Sequence, residues 1–149
     1  MTIDYEALPG LFAAAVPFAG FLGFEYGEVR PGRAVLTLRD DPAKHNHVGT
    51  LHAGALFSLA ESASGLCMMA SVAGRLAGVT PLAARAEATY KKIARGDVTA
   101  TATLSQPVEE ILATLDSAGK VRFAVDVELT DESGDVATLV TVDWHLRRT

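Results

Sequence analysis

One stretch of the chain decides its fold, and its sequence is His52-Ala53-Gly54-Ala55-Leu56-Phe57-Ser58-Leu59-Ala60-Glu61-Ser62-Ala63-Ser64-Gly65-Leu66-Cys67-Met68-Met69-Ala70. A helix of this composition is apolar on nearly all of its faces, so it must be largely buried. We therefore expect a long central helix over residues 52–70. Glu61 is its only charged side chain, and a carboxylate is rarely buried without a partner or a purpose.

The segments on either side of this helix have the composition and alternation of β-strands. We expect strands at residues 24–30, 33–39, 82–93, 98–105, 121–130 and 136–146, with the last two forming a hairpin. Short helices are expected at 5–15, where Pro17 should end the helix, and at 109–116. A curved antiparallel sheet folded around the apolar helix is the simplest solution. It predicts an α+β fold and a single domain spanning residues 1–149.

Composition narrows the class of protein. The 149 residues carry a net charge of −5 with no long basic stripe, which argues against a nucleic-acid surface. The only cysteine, Cys67, leaves no internal disulfide and no cysteine-based zinc cluster. Asp4 and Glu6 precede the first apolar segment, unlike a signal peptide, and no uninterrupted apolar run reaches about 18 residues. We expect a cytoplasmic protein that binds neither nucleic acid nor membrane.

The start of the central helix offers backbone N–H groups without acceptors inside the helix, and such groups suit an oxyanion. Ala53 and Glu61 are eight residues apart, which is about 12 Å along a helix axis. Reacting groups must approach to about 3 Å, so the two residues cannot serve one substrate within one chain. If both are catalytic, two helices must meet antiparallel across a two-fold axis, and the protein must be a dimer.

Several short motifs surround these two residues. They are Asn46-x-x-Gly49-Thr50-Leu51-His52-x-Gly54, then Leu59-Ala60-Glu61, Ala88-Thr89-Tyr90 and Arg95-Gly96-Asp97. With this spacing and strand order, the chain resembles the hotdog-fold acyl-CoA thioesterases, specifically the phenylacetate-pathway type and its small relatives. The resemblance covers most of the chain. It is more specific for the fold than for the substrate.

The resemblance implies roles for individual residues. Glu61 matches the catalytic carboxylate of the family, and Asn46 matches the polar residue near the thioester and its water. The Ala53 backbone N–H corresponds to the donor that polarises the thioester carbonyl, and His52 to an orienting residue at the helix start. The chain departs from the family pattern twice. Ala53 replaces the usual glycine, and Ala83 stands where some relatives have a Ser or Thr that assists the acid or the water.

Other interpretations of the same residues remain open. Glu61 could be a structural acid paired with Arg85 or another arginine, His52 a helix cap, and Asn46 a turn residue. Candidate substrate-binding residues also include the small Gly54 and four residues at the end of the strand expected at 82–93 and just after it. Lys91, Lys92 and Arg95 could meet coenzyme A phosphates or form a solvated strand end, and these three join Tyr90 in the candidate set.

We expect no metal and no cofactor, since coenzyme A is part of the substrate. His45, His47 and His52 are close in sequence, but they lack a cysteine or a sufficient set of acidic ligands. The leading hypothesis is a dimer, or a dimer of dimers, that hydrolyses an acyl-CoA to free acid and coenzyme A, with Glu61 as base or nucleophile. The alternatives are a non-catalytic acyl or acyl-CoA binding module and a hydroxyacyl-thioester dehydratase. The sequence does not specify the acyl chain, nor whether the thioester is attached to coenzyme A or to a carrier protein.

Overall fold

A long helix, α3 (Ala53–Ser71), crosses one face of a six-stranded antiparallel sheet. The structure, a computed structural model, describes residues 2–149. The strands are β1 (Glu25–Arg30), β2 (Arg33–Leu38), β3 (Val79–Tyr90), β4 (Val98–Leu104), β5 (Lys120–Thr130) and β6 (Val136–Arg148). Their order in the sheet is β1-β2-β4-β5-β6-β3. This is the α+β arrangement that the sequence predicted.

The helix begins at Ala53, one residue after the expected start, because His52 is its N-cap. The imidazole Nδ1 accepts the N–H of Gly54 at 2.8 Å, which satisfies one of the free donors of the first turn. By length and composition alone α3 could cross a membrane, with a mean hydropathy of 1.3. It is instead packed over most of its length against β2, β4 and β5.

The register of the sheet fixes how α3 lies relative to β3. Trp144 of β6 is opposite Ala83 of β3, and its indole Nε1 donates to Ser64 of α3 at 3.1 Å. At the other end of β3, the Tyr90 hydroxyl donates to the Ala53 carbonyl at 3.3 Å. The helix therefore runs alongside β3 in the opposite direction. Ala53 lies near the end of the strand.

Strand β3 is an edge of the sheet, because β6 is its one partner strand within the described residues 2–149. Most of its 12 residues are exposed, including Leu82 at 63 %. An exposed strand of this length presents a row of unpaired backbone groups to any second strand.

The N-terminal region contains two helices instead of the single one expected at 5–15. These are α1 (Leu8–Ala15) and α2 (Pro17–Leu22). Pro17 does not only end the first helix; it occupies the first turn of the second, where its missing N–H costs nothing. Phe12 of α1 packs on α3 at Gly65, where an added Cβ would lie 3.5 Å from the phenyl ring. The expected helix at 109–116 is present as α4 (Val108–Ala118), with Ile111 and Leu115 buried.

The position of β3 also differs from the expected 82–93. Val79 and Thr80 join the strand because they pair with Arg148 and Arg147 of β6. At the other end, the N–H groups of Lys91 and Lys92 both turn to the Ala137 carbonyl, so the chain leaves the ladder. The residues before Leu82 have the composition of a loop, but their pairing with β6 makes them part of the strand.

Candidate active site

An open cleft of about 370 Å³ lies at the N-terminal end of α3. Three segments form its wall: the loop before α3, the first turn of α3, and the chain that follows β3. The lining residues are Asn46, Thr50, Leu51, Ala53, Leu56, Tyr90, Lys92, Ile93 and Ala94. Of these, Thr50, Leu51, Leu56, Ile93 and Ala94 were not predicted as site residues. Only their closeness in sequence to the Asn46 and Arg95 motifs could have suggested them.

The first turn of α3 brings a free backbone donor to this cleft. The N–H of Ala53 has no hydrogen-bond acceptor among residues 2–149, whereas the neighbouring Gly54 N–H is taken by His52. Because His52 Nδ1 accepts a hydrogen bond, the neutral ring carries its proton on Nε2. His52 is therefore positioned as a helix cap, and the Ala53 N–H remains available to a ligand oxygen.

Asn46 is at the cleft, but most of its side chain is used within its own loop. Its Oδ1 accepts the N–H groups of Val48 at 3.0 Å and of Thr50 at 3.1 Å. Its Nδ2 donates to Thr50 Oγ1 at 3.0 Å. These bonds fix the turn at Gly49, which has a positive φ of 77°. The amide shapes the loop and keeps one Nδ2 hydrogen without a partner in the described part of the chain.

Glu61 is half-buried, and its side-chain carboxylate has neither a hydrogen bond nor an ion pair with any residue between 2 and 149. Burial raises the pKa of its carboxyl above the ordinary value. The alternative partner Arg85 is 3.4 Å from Glu87 and 4.0 Å from Asp143 instead. Glu61 does not line the cleft beside Ala53. The two candidate catalytic residues are thus on one helix and apart, as their spacing predicted.

The three basic residues that follow β3 differ in their surroundings. Lys92 Nζ is 3.0 Å from a carboxylate oxygen of both Asp131 and Asp135. These two partners raise the pKa of the Lys92 ammonium, Asp135 contributing more. Lys91 and Arg95 are exposed, and neither side chain pairs with an anion in the part of the chain that the structure covers.

The histidines before α3 do not converge. His45 Nε2 lies 2.5 Å from Asp40 Oδ1, and His52 caps the helix. Within residues 2–149, no group of three His, Cys, Asp or Glu side chains is close enough to hold a metal ion.

This chain was compared with protein-family models, with curated proteins and with solved structures. A family model described as a domain of unknown function (DUF4442) matches residues 6–146. No curated protein is significantly similar in sequence. A Pseudomonas aeruginosa protein of unknown function, PA5026, described as a probable thioesterase, is similar in structure with a TM-score of 0.86 and 25 % identity. The similarity covers 100 % of this chain and 99 % of that protein.

Two further solved structures share the fold at lower identity. A mutant of the P. aeruginosa thioesterase PA1618 has a TM-score of 0.79 at 19 % identity over 100 % of this chain and 97 % of its own. The E. coli PaaI protein from the phenylacetic acid degradation operon has a TM-score of 0.75 at 19 % identity, covering 97 % and 93 %. The fold is therefore the hotdog fold, and its structural neighbours include proteins described as thioesterases, which confirms the resemblance drawn from the motifs.

Proposed function

This chain belongs to the family of domains described as DUF4442, and from that premise we propose that it hydrolyses acyl-CoA thioesters to a free acid and coenzyme A. One observation carries the proposal. The same helix presents an N–H at Ala53 beside a cleft and a half-buried carboxylate at Glu61, and neither group has a partner among residues 2–149. A donor for the developing oxyanion and a carboxylate that can act as base are groups that promote the hydrolysis of a thioester.

In the proposed reaction the thioester carbonyl oxygen accepts the Ala53 N–H. The positive end of the α3 dipole then stabilises the negative charge that develops on this oxygen. Asn46 supports the step by holding the loop that precedes the helix, and His52 by occupying the Gly54 N–H. Ala53 serves through its backbone, so the replacement of the usual glycine is compatible with this role.

Glu61 removes a proton from water as the water oxygen attacks the carbonyl carbon. Collapse of the tetrahedral intermediate breaks the carbon–sulfur bond, and the proton passes from Glu61 to the departing coenzyme A thiolate. The alternative is direct attack by the carboxylate on the carbonyl carbon, which breaks the carbon–sulfur bond, releases the coenzyme A thiolate and forms an anhydride. Water then hydrolyses the anhydride to the free acid and restores the Glu61 carboxylate, and the proton released goes to the thiolate. A raised pKa makes the Glu61 carboxylate a stronger base than an exposed glutamate.

The two groups reach one substrate only in a dimer. The exposed edge of β3 supports antiparallel pairing with β3 of a second copy, which also sets the two α3 helices antiparallel. Since Ala53 lies beside Tyr90 and Ser64 beside Ala83, the midpoint between Ala53 and Glu61 falls near Ala88. A two-fold axis at this point brings Glu61 of one copy to Ala53 of the other.

Cysteine cross-linking tests this geometry. Of single cysteines placed one at a time at positions 86 to 89, the one nearest the two-fold axis should form an intermolecular disulfide. Only there is a residue opposed by its own copy, and opposed residues of antiparallel strands are about 4.5–5.5 Å apart between Cα atoms. A cysteine at Thr80, near the far end of β3, is the matched control and should stay reduced. The native Cys67 is buried and does not interfere. A protein that light scattering finds monomeric at micromolar concentration, with no cross-link at any position, would remove the composite site.

The activity itself is tested by release of free thiol from a panel of acyl-CoA substrates. Glu61→Gln should reduce turnover about 10²–10⁴-fold, the usual contribution of a general base, while thioester binding is kept. Glu128→Gln, at an exposed carboxylate on β5 and away from the proposed β3 interface, is the control and should retain turnover. Saturable binding without thiol release for any substrate would indicate the acyl-CoA binding module instead. Formation of an enoyl thioester from a hydroxyacyl-CoA would indicate the dehydratase.

A further inference from the structure

A second concave surface lies outside the cleft, between α4 and the beginning of β5. Its volume is about 450 Å³, within the usual range for small-molecule sites. One wall is formed by the last two turns of α4, and the other by the first residues of β5 with one residue of β6. The lining residues are Thr114, Ala118, Lys120, Val121, Arg122 and His145. We call this feature the α4–β5 groove.

The α4–β5 groove is separate from the proposed reaction centre. Along β6, His145 is seven residues from Thr138, which pairs with Tyr90 at the cleft, or roughly 23 Å away. Trp144 donates to Ser64 of α3, so the next residue, His145, faces the other side of the sheet. A ligand in the groove therefore does not occupy the cleft.

The groove exists because β5 starts beyond the end of its neighbour β4. The ladder between these strands ends where Leu104 pairs with Val125, so the first residues of β5 have β6 on one side only. The Ala124 carbonyl points to the free side, since it accepts the Ser105 N–H at 3.1 Å. Backbone groups of alternate residues point the same way in an antiparallel ladder, so the Arg122 N–H also points there. It has no acceptor among residues 2–149.

The floor of the groove offers apolar contacts. Thr114 and Ala118 are four residues apart on α4, so they share one face of the helix, and both are exposed. The Thr114 hydroxyl is already used, because it donates to the Glu110 carbonyl at 3.0 Å. Val121 adds a branched side chain from β5. These residues can cover an alkyl chain but offer no free polar side-chain group to it.

The rim of the groove is cationic. Lys120 and Arg122 alternate along β5 and are exposed, and the partly buried His145 is opposite Arg122 on β6. Neither Lys120 nor Arg122 has an anionic partner among residues 2–149, although the net charge of the chain is −5. Asp116 on α4 pairs with Arg75 at 2.7 Å instead. Two cations and a backbone donor thus stand beside an apolar floor without an anion from the described chain.

We propose that the α4–β5 groove binds an amphipathic carboxylate, such as a free fatty acid of medium chain length. The Arg122 guanidinium and N–H hold the carboxylate, whose two oxygens match paired donors, and Lys120 adds a second positive charge. The alkyl chain packs on Ala118 and Val121, where it removes apolar surface from water. The binding does not depend on the thioesterase activity, because the groove contains neither of its proposed catalytic groups.

An added peptide strand is the less suitable occupant. The free side of β5 covers only residues 120–123, since β4 pairs with the strand from Val125 onwards. A typical strand has about 5–6 residues. The short free edge therefore favours a small ligand over a peptide.

Nuclear magnetic resonance titration of the full chain tests the proposal residue by residue. The probes are octanoate, octanol, which lacks the charge, and acetate, which lacks the alkyl chain. Octanoate should shift the amide signals of residues 114–122 and 145 in a saturable way. Octanol and acetate should each bind there at least about 10-fold more weakly, because each loses one of the two kinds of contact.

Substitutions at the rim and the floor separate charge from packing. The double variant Lys120→Gln/Arg122→Gln should lose octanoate affinity by about 10-fold to 100-fold, as expected for two charged contacts. Ala118→Glu, which brings a carboxylate to the groove, should also weaken the binding. The matched control is Arg39→Gln/Lys44→Gln, which changes the net charge equally in exposed ion pairs away from the groove. It should bind octanoate at the groove like the wild type.

Salt and heat provide readouts that a structural role would not reproduce. Octanoate binding by the wild type should weaken as ionic strength rises, and that of Lys120→Gln/Arg122→Gln should weaken less. The melting temperatures of both should agree, because the two side chains are exposed and form no ion pair among residues 2–149. Equal binding of octanol and octanoate, an unaltered double variant, or amide shifts confined to residues 46–56 at the cleft would each overturn the proposal. An acidic peptide that shifts the groove amides at lower concentration than octanoate would also overturn it.

Discussion

The two halves of α3 have similar compositions but different surroundings. In the second half, residues 62–71, the face at Gly65 is closed by Phe12 of α1 and Trp144 of β6. In the first half, residues 53–61, Gly54, Ser58 and Glu61 lie at helical spacing on a face that nothing within residues 2–149 covers completely. We call these the closed half and the open half.

The two halves differ in whether their polar groups have hydrogen-bond partners. In the closed half, Ser64 accepts the Trp144 indole N–H and donates to the Glu61 carbonyl. Ser71 accepts the Gly32 N–H and donates to the Cys67 carbonyl. In the open half the Glu61 carboxylate and the Ala53 N–H have no partner in the described residues. Polar groups with hydrogen-bond partners are typical of a protein interior. Polar groups without partners on the same helix indicate a surface that contacts a ligand or a second chain.

The largest effect on stability is expected in the closed half. Leu66 is fully buried, so Leu66→Ala should lower the free energy of unfolding by about 2–5 kcal/mol. Ser58→Ala in the open half should stay within about 0.5 kcal/mol, as for surface substitutions. Urea unfolding of both variants measures the contrast. Similar losses at the two positions would mean that the halves do not differ in the way described.

An intermediate effect is expected at the beginning of the open half. His52→Ala removes the helix cap and should lower the free energy of unfolding by about 0.5–2 kcal/mol. His52→Asn keeps a capping side chain and should restore both stability and thiol release. Urea unfolding and the thiol assay report the two properties. If the asparagine variant regains stability but not turnover, His52 has a chemical role beyond its cap.

The smallest effect concerns the charge of Glu61. Burial raises its folded-state pKa above the unfolded value of 4.5, so folding favours the protonated form. This group contributes stability below the unfolded pKa, and that contribution is lost as the pH rises through the folded pKa. Glu61→Gln should therefore melt above the wild type at neutral pH, with the difference vanishing below the unfolded pKa. Melting curves across this range decide it. A lower melting temperature for the variant at neutral pH would show that the carboxylate is structurally paired.

The sequence predicted the elements that depend on side-chain periodicity alone. Residues 52–70 were expected as the helix and the structure has Ala53–Ser71; the hairpin expected at 121–146 is formed by β5 and β6. The fold class and the resemblance to hotdog thioesterases are confirmed by structural comparison. The residue roles stay predictions, because a carboxylate without a partner in one chain does not identify its substrate.

Elements that depend on contacts between distant segments were harder to predict. Pro17 is compatible with the end of one helix and the start of another, and only packing selects the second. Lys92 is chemically equivalent to Lys91 in the sequence, yet its partners Asp131 and Asp135 come from a turn about forty residues later. The amino-acid composition around Lys92 does not indicate such a pairing. For the same reason, the sequence could not distinguish Lys92 from Lys91 and Arg95, which have no anionic partner among residues 2–149.

The position of β3 in the sheet has a consequence for how the chain folds. Its partner along the ladder is β6, some fifty residues further on, while β1, β2, β4 and β5 can associate without it. Closing that long loop is slow compared with forming the β5–β6 hairpin. During synthesis β3 therefore cannot form its ladder with β6 until residues 136–148 have emerged from the ribosome. Until then, both of its edges are unpaired. This interval is when the chain is most exposed to aggregation, and when a chaperone would have the most to protect.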